Sequence, residues 1–416
     1  MSNIRLTSKD LGYIPGQLPQ GPKNSILDVP GVHVGQHTIG NDGEDVRKGV
    51  TIIFPRHPDE ITIPCYAGLH TLNGNGELTG SYQIKDWGYS NTPIAITNSL
   101  SLGIVYQALW NRVLDVASTK SASIEEVSHN YGTPIVGETA DMILNDVYRS
   151  PLTLEDVKPA IENALTQKEV QEGQHGGGAG MTCHMFPGGT GTSSRVFGEM
   201  PWEDTEGSQK FTVGVLVQSN YGHLRDFVVG GVPIGRLLSK ENKELEEKER
   251  TSEKGGKIGE GSIIIILITD APLLPHQLNR VARHCAVGLA QVGGHGVGRN
   301  HSGDIILALS TGNRPNEIVD ESQVNGLSKI EVNDIKVIKN DSIETLFRAA
   351  SEATEEAILN SIIAGRDGRT GFQGYRLEGL PVDRVRQLME KHRVNIDDES
   401  CLSSGEYLAL QNKGVQ

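Results

Sequence analysis

The chain has 416 residues, a net charge of −14 and a pI of about 5.4, with 37% apolar and only 5% aromatic residues. The acidic balance argues against binding to the phosphate backbone of nucleic acids, and no apolar run approaches the roughly 18–20 residues that span a membrane. Four scattered cysteines without CxxC spacing, and an N-terminus without an apolar stretch, predict a cytoplasmic protein with reduced thiols and no signal peptide.

Helical and strand patterns follow one another in the first half of the chain. Residues 102–117 (LGIVYQALWNRVLDVA) and 153–167 (TLEDVKPAIENALTQ) have helical spacing, and PIVGET at 134–139 predicts a short strand between them. The apolar, β-branched run VGVLV, within residues 211–222, predicts a buried strand.

A charged linker separates this half from the next. The segment from Lys240 to Lys257 has six acids and six bases among eighteen residues, which is typical of an exposed helix or loop. Strong strand patterns lie on both sides of it. The linker therefore divides the chain into two segments without marking a domain boundary.

After the linker, SIIIILI predicts a second buried strand, and a helical pattern begins at Pro275, a residue suited to a first helical position, and stops at Gly293-Gly294. DIILALS at 304–310 predicts another strand. A later helix is predicted to begin at Asp341, with Glu344 completing a capping box, and to end before Gly365. Strands that are apolar on both faces indicate an α/β architecture in which helices cover a sheet.

The junction Gly261–Ser262, between the linker and the strand SIIIILI, has two interpretations. A serine that simply begins a strand after a loop is the common case. Alternatively, the Ser262 hydroxyl attacks the Gly261 carbonyl, and hydrolysis of the resulting ester leaves Ser262 with a free α-amine. Such an amine has a pKa of roughly 7.7–8.0, so it can act as the base for its own hydroxyl.

The sequence around this junction, GSIIIILITDAPLLPHQLNRVARHCAVGLAQVG, resembles the nucleophile region of the self-processing serine aminopeptidases, the L-aminopeptidase/D-esterase and β-peptidyl aminopeptidase family. Further blocks match in order: NSILDVPGVHVGQHTI, RKGVTIIFPR, NGNGELTG, WGYSNTPIAITNSLSLG, PIVGETADMILNDV and GVLVQSNYG. The resemblance implies a four-layer α/β/β/α sandwich like that of N-terminal-nucleophile hydrolases, with different connectivity. It also implies one aminopeptidase domain over 1–416, cut into associated chains 1–261 and 262–416, and a homotetramer of cut protomers.

The resemblance also implies roles for individual residues. Ser262 matches the nucleophile, whose new amine is the base, and Asn220 matches the residue that donates to the oxyanion. Ser302 and Asp304, in HSGD, match a Ser-x-acid pair beside the new amine, in which the family also has glutamate. Without the resemblance, Asn220 would be interpreted as a turn residue, and Ser302 and Asp304 as part of a loop that leads into a strand.

Glu138 matches the acid that binds the free amino group of the substrate, which is a small peptide, amide or ester with a free N-terminus. Two residues later, known members carry an aromatic side chain, whereas this chain has Ala140. This departure leaves the substrate preference open. The alternatives are an acyltransferase related to the ornithine acetyltransferases, which use threonine, and a non-catalytic binding protein on the same fold.

Two histidine and glycine motifs carry weaker signals. HGGGAGM at 175–181 resembles a phosphate-binding loop but lacks its Lys-Ser/Thr. His33 and His37 are four residues apart, but Gly35 between them and Pro30-Gly31 before them argue against a helical zinc pair. We expect neither a metal nor a cofactor.

Overall fold

The computed structural model describes residues 4–120, 122–123, 127, 131–149, 152–198, 209–242, 261–296, 300–316 and 329–393. In chain order, the strands in these ranges are β1 (His33–Ile39), β2 (Lys48–Phe54), β3 (Cys65–Gly74), β4 (Tyr89–Ser90), β5 (Ile94–Asn98), β6 (Ile135–Thr139), β7 (Thr182–Cys183), β8 (Phe186–Pro187), β9 (Gly189–Phe197), β10 (Phe211–Asn220), β11 (Ser262–Thr269), β12 (Gly303–Ser310), β13 (Arg369–Thr370) and β14 (Arg376–Leu377). The helices are α1 (Ser81–Trp87), α2 (Leu102–Thr119), α3 (Leu154–Asn163), α4 (Ile234–Glu241), α5 (Pro275–Gly293), α6 (Glu344–Ala364) and α7 (Val382–His392).

Two large sheets form the centre of the molecule. One has four strands in the order β1-β2-β5-β6, and the other has six in the order β4-β3-β12-β11-β10-β9. Within the six-stranded sheet, β11 pairs antiparallel with β10 and parallel with β12. The end of β10 and the beginnings of β11 and β12 therefore meet at one edge of this sheet.

The alternating side chains of β11 explain why its sequence is apolar throughout. From Ile263 to Leu267, the odd-numbered side chains belong to the core beneath α5 and α6. From Ile264 to Ile268, the even-numbered ones belong to the core between the two sheets. Because successive side chains of a strand point to opposite faces, a strand that is covered on both sides is apolar at every position.

Helices α2 and α3 cover the other face of the four-stranded sheet, where Val105 and Leu109 pack with Val50 and Ile52. The layers therefore run helix, sheet, sheet, helix. This confirms the predicted α/β/β/α sandwich.

The helix ends agree with the prediction at α5 and differ at α6. Helix α5 has Pro275 in its first turn and ends at Gly293, which has a φ of 114°. The helix predicted from Asp341 instead begins at Glu344, after the 3₁₀ turn Asn340–Ser342. Ile343 occupies the N-cap position with its side chain in the core. The proposed capping box at Asp341 is therefore wrong, and packing of Ile343 accompanies the later start.

The predicted linker begins within α4, and its residues 243–257 lie outside the described ranges. Within those ranges, no helix combines the length and apolarity that a bilayer crossing requires.

Candidate active site

Ser262 lies where three strands of the six-stranded sheet meet. It is the first residue of β11, and only 9% of its surface is exposed. Asn220, the last residue of β10, is its direct partner across the antiparallel pair. From the parallel neighbour β12, the backbone N–H of Gly303 donates a hydrogen bond to Ser262 Oγ over 3.0 Å. The nucleophile candidate is therefore held by strand pairing on the β10 side and by a backbone N–H on the β12 side.

The residue before it has to be glycine. A Cβ on Gly261 would lie 1.8 Å from the carbonyl oxygen of Asn220, far inside van der Waals contact. The missing side chain therefore lets the Gly261–Ser262 bond lie directly against the end of β10.

Ser302 connects the Gly261 carbonyl to Asp304. Its Oγ lies 2.5 Å from the Gly261 carbonyl oxygen and 2.7 Å from Asp304 Oδ1. Ser302 and Asp304 are both buried. The predicted Ser-x-acid pair is thus assembled at the Gly261–Ser262 bond.

The Asn220 side chain is oriented from both ends of its amide. Its Oδ1 accepts a hydrogen bond from the Thr182 N–H over 2.9 Å, and its Nδ2 donates to the Ala140 carbonyl over 2.7 Å. An amide nitrogen carries two hydrogens. One is used by Ala140, so the other can be donated to an oxyanion at Ser262.

Glu138 lies on β6, in the facing sheet, and is half-buried. Its Oε1 accepts a hydrogen bond from the Glu77 N–H over 3.0 Å, and its Oε2 accepts one from Ser99 Oγ. Among the described residues, no cation forms an ion pair with Glu138. Its carboxylate is thus oriented by neutral donors, and its charge can pair with an ammonium group from outside.

Gly76, after the end of β3, lies between Glu138 and the β12 side of the site. A Cβ on Gly76 would lie 3.3 Å from Glu138 Oε1 and 3.1 Å from Gly303 Cα. Gly303 in turn donates to Ser262 Oγ. The Glu138 carboxylate and the Ser262 hydroxyl are therefore connected through Gly76 and Gly303.

Ala140 contributes its backbone. Its carbonyl accepts the Asn220 hydrogen bond. The structure therefore connects Ala140 with the orientation of the oxyanion donor.

Four donors that hold the site together were not predicted from the sequence: the N–H groups of Gly303, Thr182 and Glu77, and the Ser99 hydroxyl. Backbone donors leave no signal in residue type. Ser99 does lie in a matching block, directly after a strand of the facing sheet, and this position was the only available signal.

Tyr221 lies next to Asn220 and is almost fully buried. Burial foremost, with a smaller effect of nearby negative charges that include Asp304, keeps the pKa of Tyr221 well above its usual value. The phenol is thus a neutral neighbour of the site. In the described ranges, no group of three or more His, Cys, Asp or Glu side chains could hold a metal ion.

These groups are suited to acyl-group chemistry. A hydroxyl, an amide donor and a carboxylate that can bind an amine lie around one strand junction, as nucleophilic attack on a carbonyl requires.

Comparison with known proteins identifies the family. The pattern of peptidase family S58 matches residues 24–376. The beta-peptidyl aminopeptidase BapA of Sphingosinicella microcystinivorans is 38% identical over 398 residues, which cover 93% of this chain and 92% of that protein. BapA of Sphingosinicella xenopeptidilytica is 35% identical over 397 residues, which cover 92% of this chain and 90% of that protein.

Solved structures agree. A Burkholderia sp. beta-aminopeptidase is similar with a TM-score of 0.76 and 38% identity, covering 94% of this chain and 100% of that one. The L-aminopeptidase D-Ala-esterase/amidase from Ochrobactrum anthropi is similar with a TM-score of 0.77 and 35% identity, covering 93% and 98%. That enzyme is described as a prototype of the serine aminopeptidases and a new variant of the Ntn hydrolase fold.

Neither the acyltransferase nor the non-catalytic alternative is favoured by these matches. The chain therefore belongs to peptidase family S58, and it is a serine aminopeptidase.

Proposed function

We propose that the chain matures by cutting its own Gly261–Ser262 bond and then releases N-terminal residues from small peptides, amides or esters through an acyl-enzyme on Ser262. The supporting observation is the set of contacts at this bond: Ser302 on the Gly261 carbonyl, and Gly303 on the Ser262 hydroxyl. On this proposal, residues 1–416 form one aminopeptidase domain, cut into chains 1–261 and 262–416.

Self-cleavage begins with attack of Ser262 Oγ on the carbonyl carbon of Gly261. The Ser302 hydroxyl donates to the carbonyl oxygen, which takes the negative charge. The C–N bond then breaks and the proton of the Ser262 hydroxyl passes to the leaving nitrogen, which leaves Gly261 as an ester on Ser262 Oγ and gives Ser262 a free amine. Water hydrolyses the ester: its hydroxyl completes the Gly261 carboxyl group, and its other hydrogen returns to Ser262 Oγ.

The cut rearranges the hydrogen bonds of Ser302. A hydroxyl has one hydrogen, so Ser302 cannot donate to the Gly261 carbonyl and to Asp304 at once. When the Gly261 carbonyl leaves, the Ser302 hydrogen turns to Asp304, and the two oxygens together face the new amine. Asp304 stabilises the ammonium that forms when this amine accepts a proton.

During turnover, the Ser262 amine removes the proton of its own hydroxyl, and Oγ attacks the substrate carbonyl. The second hydrogen of Asn220 Nδ2 stabilises the oxyanion, a contribution of roughly 3–4 kcal/mol to such transition states. The ammonium then protonates the leaving amine or alcohol. Water next attacks the acyl-enzyme ester, with the Ser262 amine again as the base, and the acyl group leaves as a carboxylic acid.

Glu138 selects substrates with a free N-terminus, because only a charged amine supplies the missing cation. The relatives are named for beta-peptidyl, L-amino acyl and D-Ala ester or amide substrates, and we assign the same chemical class here.

We also propose a cytoplasmic homotetramer of cut protomers. The support is the family resemblance together with large apolar side chains that are strongly exposed in one protomer, such as Tyr148 at 94% and Ile330 at 91%. The described cysteines Cys65, Cys183 and Cys285 are free and buried, which is consistent with reduced thiols. Light scattering of the purified protein tests the tetramer.

The experiment that tests the proposed function is N-terminal sequencing of the purified protein. We expect two fragments of roughly 28 and 17 kDa, by proportion of 44.9 kDa at even residue mass, and the smaller should begin Ser-Ile-Ile. Ser262→Ala should stay uncut and inactive. A full-length wild-type chain that hydrolyses aminoacyl p-nitroanilides would disprove the proposal.

A further inference from the structure

A polar cleft of about 520 Å³ opens at the β1 edge of the four-stranded sheet. It lies between the end of β1, the start of β2, the end of α3 and His175, which is the first residue of the glycine-rich segment 175–181, here called the glycine loop. The charged or titratable side chains that line it are Arg47, His37 and His175, and the other described lining residues are amides, threonines and a glycine. The described lining thus contains no acid, although the chain has a net charge of −14.

Arg47 is held by its backbone and leaves its head group available. Its N–H donates to Asn145 Oδ1, and its carbonyl accepts from Asn145 Nδ2, both over 2.8 Å. In contrast, its Nε is buried and has no hydrogen-bond partner among the described residues. A buried donor without a partner is unfavourable. The Arg47 head group lines the cleft and forms no hydrogen bond with a described residue, so its accessible N–H groups can bind an acceptor there.

A second guanidinium lies behind the first. Arg369 is buried, and its Nη1 donates to Asp42 Oδ1 over 2.9 Å, while its Nε and Nη2 have no partner in the described ranges. Burial foremost, and then the charge of Arg369, lowers the pKa of Arg47, and Asp42 partly opposes this. Arg369 is thus paired with Asp42 and also feels the charge of Glu44, whereas Arg47, which lines the cleft, has no ion pair within the described ranges.

The His175 imidazole adds a neutral donor. Burial, followed by the charge of Arg47, lowers the pKa of His175 below its ordinary value of 6.5, so its ring is neutral at pH 7 and carries one N–H. The next residue, Gly176, donates its N–H to Thr38 Oγ1 over 2.8 Å. This anchors the glycine loop, whose backbone packs against the sheets, to the wall of the cleft.

We propose that this cleft binds a small organic anion, with its oxyanion head group on Arg47 and its polar body against the surrounding amides. A guanidinium binds phosphate and carboxylate groups through paired N–H donors, and both head groups share this chemistry. The cleft is separate from the active site, because β1 and the Glu138 strand β6 form opposite edges of the sheet. At the usual spacing of strands this distance is roughly 14 Å.

The test is isothermal titration calorimetry of the purified wild-type protein with inorganic phosphate and, separately, with acetate. We expect saturable binding of at least one anion, and an increase in Kd of at least about tenfold in Arg47→Gln, as the loss of a hydrogen bond to a charged group implies. Arg384→Gln is the matched control, because it removes one positive charge from an exposed ion pair with Glu241. Its Kd should equal that of the wild type.

A second variant keeps the test valid if Arg47→Gln does not fold. Gln171 is exposed at the rim of the cleft, so Gln171→Glu adds a repelling charge without removing a buried side chain, and we expect weaker anion binding. Gln291→Glu, on the exposed surface of α5, is its control.

Preference for phosphate would identify phosphorylated ligands, and preference for acetate would identify carboxylates. Absence of saturable binding of both anions, or unchanged Kd in both cleft variants, would overturn the proposal.

Discussion

The hydroxyl of Ser302 lies 2.5 Å from the carbonyl oxygen of Gly261, whereas the amide of Asn220 donates to the carbonyl of Ala140. The two candidate oxyanion donors thus have different partners in the uncut chain. This relationship separates maturation, which we assign to Ser302, from turnover, which we assign to Asn220.

Replacing Ser302 with alanine should slow self-cleavage. Gly261 loses the donor that stabilises the negative charge on its carbonyl oxygen, and loss of one such donor lowers a rate by roughly 10²–10³. The precursor should accumulate and be visible by gel electrophoresis over time. Processing of Ser302→Ala at the wild-type rate would contradict the role of Ser302 in maturation.

Replacing Asn220 with alanine should lower kcat by roughly 10²–10³ and change KM little, because the donor acts on charge that develops only in the transition state. Activity must be expressed per processed chain, counted by N-terminal sequencing at Ser262. Thermal unfolding of the same sample distinguishes lost chemistry from lost structure. A processed variant with near wild-type kcat would exclude Asn220 from the mechanism.

Gly261→Ala should block maturation by disturbing the strand junction. The added Cβ would lie 1.8 Å from the Asn220 carbonyl oxygen, so the pairing of β10 with β11 has to open where the nucleophile lies. Gly103→Ala on α2 is the control, since its Cβ would meet nothing within 4 Å. We expect full-length precursor only for Gly261→Ala, and cleavage of both variants at equal rates would refute this explanation of the glycine.

Glu138→Gln should raise KM for substrates with a free amine by roughly 10–100-fold, which corresponds to a lost charged hydrogen bond of about 1.5–3 kcal/mol. N-acetylated substrates should not be turned over by the wild type. Glu77→Gln removes a neighbouring exposed carboxylate and should leave KM unchanged. Equal wild-type rates on acetylated and free substrates would disprove the role of Glu138.

Glu355 should make the stability of the protein depend on pH. Burial raises its pKa from 4.5 to about 7, although Tyr13 donates to its carboxylate. The folded state therefore holds the Glu355 proton more tightly than the unfolded state. This protonation contributes fully to the free energy of unfolding below pH 4.5, and the contribution is lost as pH rises through about 7. At about 1.4 kcal/mol per pKa unit, the full effect is on the order of 3 kcal/mol.

Urea unfolding at pH 5 to 8 measures this effect, with uncut Ser262→Ala as the background so that one chain unfolds. In this background, the free energy of unfolding of the Glu355→Gln protein, compared with that of the parent Ser262→Ala protein, should increase as pH rises. A difference between the two proteins that stays constant from pH 5 to pH 8 would show that Glu355 does not titrate in this range.

Local sequence determined the elements of this protein well. The unbroken apolar run of β11 and the 3.6-residue pattern of α5 each report which faces of an element are buried, and this information lies within a few neighbouring residues. Ser262 and the predicted site residues followed from ordered blocks that resemble a known family. The start of α6 was missed because Ile343, buried against distant residues, holds the position that the capping pattern assigned elsewhere.

The contacts of the site were decided only by the tertiary structure. Gly303 is 41 residues from Ser262, Thr182 is 38 from Asn220, and Ala140 is 80 from Asn220. Periodicity does not determine which residues of distant strands lie opposite each other. Pairing of β11 with β12 within one sheet places the Gly303 N–H on the nucleophile. Packing of the two sheets face to face places the Ala140 carbonyl on the oxyanion donor.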